Sequence, residues 1–245
     1  MKYIVLEEVD STNSYVSVHA GELEDMTVVG AAIQTAGRGQ RGNRWESEPG
    51  KNLTFTIFHT PRELHPRDQF SISEAVALGV VSMLGRYGIE AKVKWPNDIY
   101  VADRKISGIL IEHSVGSDRV IHSRLGVGLN INQLEFKSDA PNPVSMVQLT
   151  GRETELSEAL AAVCEEVRLN LERVSTEAGR RELHREFRDN LWRGDGGAWP
   201  FRRREDGRRF DGRIIDVAPT GMILIEDVAT GERQSFAFKE VEFLL

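Results

Sequence analysis

Residues 91–131 read AKVKWPNDIYVADRKISGILIEHSVGSDRVIHSRLGVGLNI, which divides into strand-like runs at about 91–101, 104–113 and 119–131. They are joined by short turns such as Ala102-Asp103 and Gly116-Ser117-Asp118. Such short connections join antiparallel neighbours, because a parallel return needs a crossover of about a dozen residues or more. The stretch therefore predicts a meander of hairpins within a largely antiparallel sheet.

The flanking sequence supplies the rest of an α+β fold with a mixed sheet. Lys2 to Glu8 reads as a strand, and the capping cluster Asp10-Ser11-Thr12-Asn13 opens a short helix through about Ala20. Thr27 to Ile33 and the alternating Asn52 to His59 predict two further strands. Ile72, Ala75, Val76, Gly79, Val80, Met83 and Leu84 fall at helical spacing and predict an amphipathic helix over 68–87. Two more helices are expected at about 156–175 and 177–192, while the polar 134–147, with Pro141 and Pro143, predicts a mobile loop. After Arg193-Gly194-Asp195-Gly196-Gly197 the pattern turns to short strands, among them Phe210 to Val217, Met222 to Asp227 and Gln234 to Phe238. That change predicts two domains, 1–193 and a small β-barrel at 194–245.

A net charge of −7 argues against a chain that wraps nucleic acid, so any anion site has to be local. The arginines of Arg202-Arg203-Arg204 and Arg208-Arg209 are interrupted by Glu205, Asp206 and Asp211, which reads as a solvated hairpin or a docking face for an acidic partner. The single cysteine, Cys164, lies in the apolar stripe of Leu160, Val163, Val167 and Leu171 and reads as core. No signal or membrane-spanning run is present, so a cytoplasmic location without membrane contact is expected. The histidines show no zinc-ligand spacing.

The segment from Gln34 to Lys51 is long, glycine-rich and aperiodic, which invites a functional reading. Gly37-Arg38-Gly39-Gln40-Arg41-Gly42 matches the dinucleotide-binding glycine pattern, but the Trp, Ser, Pro and Gly that follow cannot form the required helix. A phosphate-binding Gly-Lys-Ser/Thr ending is also missing. What remains is a loop whose glycines admit an anion to the backbone and whose Arg38, Arg41, Arg44 and Lys51 can clamp it. Two further motifs follow strands, Lys94-Trp95-Pro96-Asn97-Asp98 and Arg104-Lys105-Ile106-Ser107-Gly108, and Gly126-Val127-Gly128-Leu129-Asn130 closes another.

In this order and spacing, Ser11-Thr12-Asn13, Gln34, the Gly37 to Gly42 loop, Lys94 to Asp98, Arg104 to Gly108 and Gly126 to Asn130 resemble the biotin protein ligase family, in its form without an N-terminal DNA-binding domain. The resemblance implies a class II synthetase-like catalytic domain related to lipoate ligases and an SH3-like C-terminal barrel. It implies biotin contacts at Ser11, Thr12, Asn13, Gln34, Arg38, Gly39, Gln40, Lys105 and Gly108. Nucleotide contacts are implied at Arg41, Trp45, Lys94, Asn97, Asp98 and Asn130, with Asp98 also toward magnesium on the substrate phosphates. Arg38, Lys105 and Lys94 are the implied catalytic cations. The Ser11 to Asn13 cluster also caps a helix, and both roles stand together.

The reaction so implied joins biotin to ATP and passes the biotinyl group to a lysine of a biotin carboxyl carrier protein or carboxylase subunit. Two anions must meet, which calls for a cationic cage, and no protein nucleophile is needed. The loops at 34–51 and 134–147 are the expected lids over the adenylate. Gln40 stands where the family often has arginine, so Arg41 or Arg44 is expected to compensate. The alternatives are a lipoate or related acyl-protein ligase and a biotin-sensing regulator, although a motif beginning at Ser11 leaves no room for a helix-turn-helix ahead of it. Monomer and homodimer both remain open.

Overall fold

A computed structural model describes residues 1–39, 44–137 and 142–245. The chain runs β1 (Lys2–Val9), α1 (Thr12–His19), β2 (Thr27–Gln34), β3 (Leu53–His59), α2 (Phe70–Arg86), β4 (Lys92–Lys94), β5 (Asp98–Val101), β6 (Arg104–Val115), β7 (Val120–Leu129) and α3 (Met146–Thr150). It continues with α4 (Leu156–Val174), α5 (Glu177–Asp189), β8 (Trp199–Arg203), β9 (Arg209–Val217), β10 (Ile223–Asp227), β11 (Arg233–Phe236) and β12 (Val241–Phe243). A seven-stranded sheet has the order β1-β2-β3-β7-β6-β5-β4. Only the β1–β2 pair is parallel, joined through α1, so the expected mixed and largely antiparallel sheet is present.

One face of this sheet packs against α2, on which α4 and α5 pack in turn. Every position named for the apolar stripe of α2 is buried, and Val163, Cys164 and Val167 of α4 meet it. Burial pushes the Cys164 thiol up to about 12, which fits an inert core side chain. Ser11 caps α1 by accepting the Ser14 N–H, as its residue type predicts. Two corrections concern regularity. The 91–101 run is broken at Trp95-Pro96-Asn97, where the peptide bond before Pro96 is cis, into β4 and β5. The 134–147 loop gives way at Ser145 to α3, closed by a capping box between Ser145 and Gln148. Among the described residues no helix is long and apolar enough to cross a membrane.

The second sheet has the order β11-β10-β9-β8-β12. β11 and β12 are consecutive in sequence yet lie at opposite edges, and the turn between them is tightened by the Glu240 N–H donating to the Ala237 carbonyl. Four strand spacings on a flat sheet would separate the edges by roughly 19 Å. Five residue steps reach at most about 18 Å when fully extended. The sheet must curl toward closure, which gives the small barrel its shape. At the junction, Arg193 adopts a left-handed φ of 62° and lays its guanidinium against Trp192 (4.0 Å) and Trp199 (4.7 Å) while donating to the Leu244 carbonyl (2.7 Å). Most of the arginine cluster is spent within the barrel, Arg203 on Gln234, Arg208 on Asp227, and Arg202 and Arg204 beside Glu242.

Glu74 of α2 is buried at 2% exposure and bonded to His184 Nδ1 of α5 at 2.7 Å, and His184 Nε2 lies 3.6 Å from Asp216 of β9. The hydrogen bond to Glu74 raises the His184 imidazole above its ordinary value, while burial pushes Glu74 upward against it. A raised imidazole adds stability that is complete below about pH 6.5 and disappears as pH climbs through the folded value. Urea unfolding of the wild type should therefore show stability falling from mildly acidic to alkaline pH, and Glu74→Gln should flatten that slope. His184→Ala should cost about 3–5 kcal/mol at neutral pH by stranding a buried carboxylate. A loss below about 0.5 kcal/mol would contradict the pairing.

Candidate functional site

The face of the large sheet opposite α2 carries a cavity of about 770 Å³. Cross-strand partners share a face, so the register assigns its floor in rows. One row runs Lys94, Asp98, Gly108, Gly128, Thr54 across five strands. The next holds Leu110, Gly126 and Thr56, and the one beyond it Glu112, Arg124 and Phe58. On the other side of the first row stand Tyr100 and its partner Lys105.

Lys105 reaches this face through a bulge. Ile99 pairs with Ser107 but Tyr100 with Lys105, leaving Ile106 of β6 without a partner on β5. Strict alternation would place Lys105 and Gly108 on opposite faces. The extra residue shifts the phase by one, sends Ile106 into the core, and turns Lys105 toward the cavity.

The cavity therefore has three stations. At one end Ser11, Thr12 and Asn13 of α1 meet Gln34 of β2. Gln34 Oε1 accepts from the Thr12 N–H at 2.8 Å and lies 3.2 Å from Thr12 Oγ1. In the middle the floor lacks side chains, and Trp45 lies on it. A methyl carbon on Gly128 would stand 2.2 Å from the Trp45 ring, and one on Gly126 2.5 Å from Asn13 Oδ1. At the far end Lys105 Nζ pairs with Asp98 Oδ1 at 2.7 Å and stands 5.8 Å from the Trp45 ring centroid. Lys94 Nζ bonds the Tyr100 hydroxyl at 3.2 Å within a cage of Tyr100, Trp192 and Phe243 rings at 4.7, 5.8 and 5.9 Å. Burial holds the Lys94 ammonium below its ordinary value, against the Asp98 carboxylate, which raises it.

The barrel walls this end with Arg204, Glu242 and Phe243. Trp95 is 4% exposed, donates to the Gly221 carbonyl at 2.9 Å and packs near Phe238 and Phe243, so its place in the Lys94 to Asp98 motif is that of an anchor between the two sheets. Asn97 closes the same turn onto β6 by donating to the Ile109 carbonyl, while the Ile109 N–H returns a bond to the Asn97 carbonyl.

Most residues expected at the site line one cavity: Ser11 to Asn13, Gln34, Arg38, Gly39, Trp45, Lys94, Asn97, Asp98, Lys105 and Gly108. Asn130 lies outside its lining. It is 2% exposed, donates to the Val144 carbonyl at 3.0 Å, and its Oδ1 has no hydrogen-bond partner among the described residues. The three expected cations do not form one cage. Arg38 Nη2 pairs with Glu112 Oε1 at 3.0 Å, seven residues along β6 from Lys105, roughly 23 Å at strand rise. Gln40 and Arg41 lie outside the described residues. Sequence reading passed over Glu112, Thr56, Tyr100 and Glu242, of which the first two follow from strand parity once the register is known.

A mixed sheet with an elongated cavity, hydrogen-bonding at one end and cationic at the other, defines an α+β domain with a small-molecule site on the open face of its sheet. The chain belongs to the biotin/lipoate A/B protein ligase family, whose sequence profile matches residues 5–130. It is 34% identical over 139 residues to the bifunctional ligase/repressor BirA of Escherichia coli, covering 56% of this chain and 43% of that protein. The chain thus spans less than half the length of that relative. It is also 31% identical over 163 residues to the biotin--[acetyl-CoA-carboxylase] ligase of Paracoccus denitrificans, covering 64% of this chain and 67% of that one. The biotin protein ligase of Aquifex aeolicus, solved with biotin and ATP, superposes with a TM-score of 0.78 at 23% identity over 98% of this chain and 97% of that one.

Gly128→Ala should drive Trp45 off the sheet, red-shift the tryptophan emission and cost about 1–3 kcal/mol in urea unfolding. Gly30→Ala, where the added carbon meets nothing nearer than 3.9 Å, should leave the emission as in wild type. Emission unchanged in both variants would contradict the packing of Trp45 described above.

Proposed function

We propose that this chain activates biotin with ATP to biotinyl-5'-AMP and transfers the biotinyl group to a lysine of a biotin carboxyl carrier protein or carboxylase subunit. The observation that carries the reading is the order of stations along the cavity. Polar groups at Ser11, Thr12 and Gln34 suit a cyclic urea with its two N–H donors and one carbonyl. The glycine floor that Trp45 now covers suits an apolar ring and chain once the indole lifts from it. Lys105 then stands where the chain's carboxylate ends. Lipoate, the other substrate class of the family, has a dithiolane in place of the urea and would leave the polar end unpaired, which disfavours it.

In the first step a biotin carboxylate oxygen bonds to the α-phosphorus of ATP while the bond to the leaving pyrophosphate breaks. Lys105 exchanges its Asp98 partner for the carboxylate and then for the phosphoryl oxygens. Lys94, fixed by its aromatic cage, supplies a second ammonium in a site dry enough to strengthen it. Asp98, released from Lys105, faces the nucleotide. As the carboxylate at this end of the cavity, Asp98 would hold a magnesium ion carried by the triphosphate. Such an ion offsets phosphate charge. In the second step the carrier's neutral amine attacks the acyl carbon, AMP leaves with the bonding electrons, and the amine's surplus proton goes to solvent. The same reading assigns 1–193 to the catalytic domain and 194–245 to the barrel. Its Arg204 and Glu242 border the nucleotide end.

Incubation of an acetyl-CoA carboxylase carrier domain with enzyme, ATP, magnesium and biotin should give a single-biotin mass increase on one lysine. Lipoate in place of biotin should give none. Lys105→Ala should retain the fold and slow biotin-dependent pyrophosphate release roughly 10–100-fold, the effect of losing a charge-assisted contact of about 1.5–3 kcal/mol. An unchanged rate in the folded variant removes Lys105 from this role.

A further inference from the structure

Glu112 sits at the polar end of the cavity, half-buried, facing inward from β6, and three groups converge on it. Asn13 Nδ2 donates to Oε2 at 3.1 Å, Arg38 Nη2 donates to Oε1 at 3.0 Å, and Arg124 Nε lies 3.6 Å from Oε2. We infer that Glu112 is a positioning residue for biotin: one carboxylate fixes the donor and acceptor polarity of the urea-binding end and holds Arg38 beside it. This rests on the function proposed above.

The argument follows from counting protons. Asn13 Oδ1 carries none, so at 2.6 Å the Thr56 hydroxyl must donate to it. Thr56 has only one proton, so the 2.8 Å contact between hydroxyls needs that of Thr12, whose single proton goes to this shorter contact, leaving Gln34 Oε1, 3.2 Å away, to be served by the Thr12 N–H. Both hydrogens of Asn13 Nδ2 are committed as well, one to the Leu110 carbonyl at 3.2 Å and one to Glu112. Every direction in the relay Thr12→Thr56→Asn13→Glu112 is thereby set by the two acceptors that hold the Asn13 amide, the Leu110 carbonyl and the Glu112 carboxylate. Gln34 Oε1, receiving the Thr12 N–H, is held on the same side.

Two consequences follow. Asn13 spends its amide on the protein, so it shapes the urea pocket and is not a donor to the urea. The ligand-facing groups are the Ser11 hydroxyl, the remaining lone pair of Thr12 and the Gln34 amide nitrogen. In addition, the loop bearing Arg38 is tied to the element that orients Asn13. The exposed Arg38–Glu112 pair gains little by itself. Its effect is geometric, linking Asn13 and Arg38 through one carboxylate.

Glu112→Gln conserves shape but offers only one acceptor. Serving Arg38 turns its NH2 toward Asn13 Nδ2, donor against donor, and an Asn13 flip that relieved this would set Oδ1 against the Leu110 carbonyl. Titration calorimetry with biotin, and separately with ATP, is the test, applied to wild type, Glu112→Gln and Thr56→Val. The last breaks the relay at a site that does not touch Glu112. The expected result is biotin binding weakened roughly 10–100-fold in both variants, with ATP affinity and melting midpoint as in wild type. A merely structural role would lower both affinities together with the midpoint, and that result overturns the inference. It is overturned too if Glu112→Gln, or Thr56→Val should the former not fold, binds biotin as wild type does. Wild type that binds no biotin removes the proposed function itself, which distinguishes that failure from failure of the Glu112 assignment.

Discussion

The phase shift at Ile106 is the constraint on which the cavity depends. A strand presents alternate residues to each face, and a β6 without its extra residue would show Gly108, Leu110 and Glu112 to the cavity while burying Lys105 against the helices. A lysine there would enter the apolar core that Ile106 now joins, an environment hostile to an unpaired ammonium. Hydrogen bonds between sheet and turn brace the bulge: the Asn130 N–H reaches the Ile106 carbonyl, and the Lys105 N–H and carbonyl engage Asn142 and Val144. Asn130, placed outside the cavity, acts here through its backbone and through Val144.

The second sheet completes the cationic end. Phe243 of the barrel adds its ring to those of Tyr100 and Trp192 around Lys94. The seating of the barrel depends in turn on Trp95, the neighbouring residue, and on Arg193 at the junction. Thus one five-residue motif supplies a cation, an anchor, a clamp on β6 and a carboxylate, with its two ends serving chemistry and the positions between them architecture.

What was legible in the sequence was local. The α2 stripe, the Ser11 cap and the hairpins around Ala102-Asp103 and Gly116 to Asp118 depend on periodicity and turn residues that a single segment displays. β8, in contrast, reads WPFRR, its proline and arginines masking a strand, and β12 has only three residues, too few for alternation to show. The bulge belongs to a pair of strands and cannot be read from one. The same reason hid the roles of Glu112 and Thr56, which emerge only when β3, β6 and β7 are placed in register. Family resemblance located Arg38, Lys94 and Lys105 in one chemistry, yet a resemblance carries no distances, and Arg38 lies at the opposite end from the two lysines.

A crystal structure with biotin bound tests the central claim most directly, since the claim is one of orientation along a single cavity. The account requires the urea ring against Ser11, Thr12 and Gln34, the apolar chain on the glycine floor with Trp45 lifted from it, and the carboxylate within about 3 Å of Lys105 Nζ with Asp98 displaced. A biotin lying in the reverse sense, or with its carboxylate on Arg38 while Lys105 keeps its bond to Asp98, would contradict it.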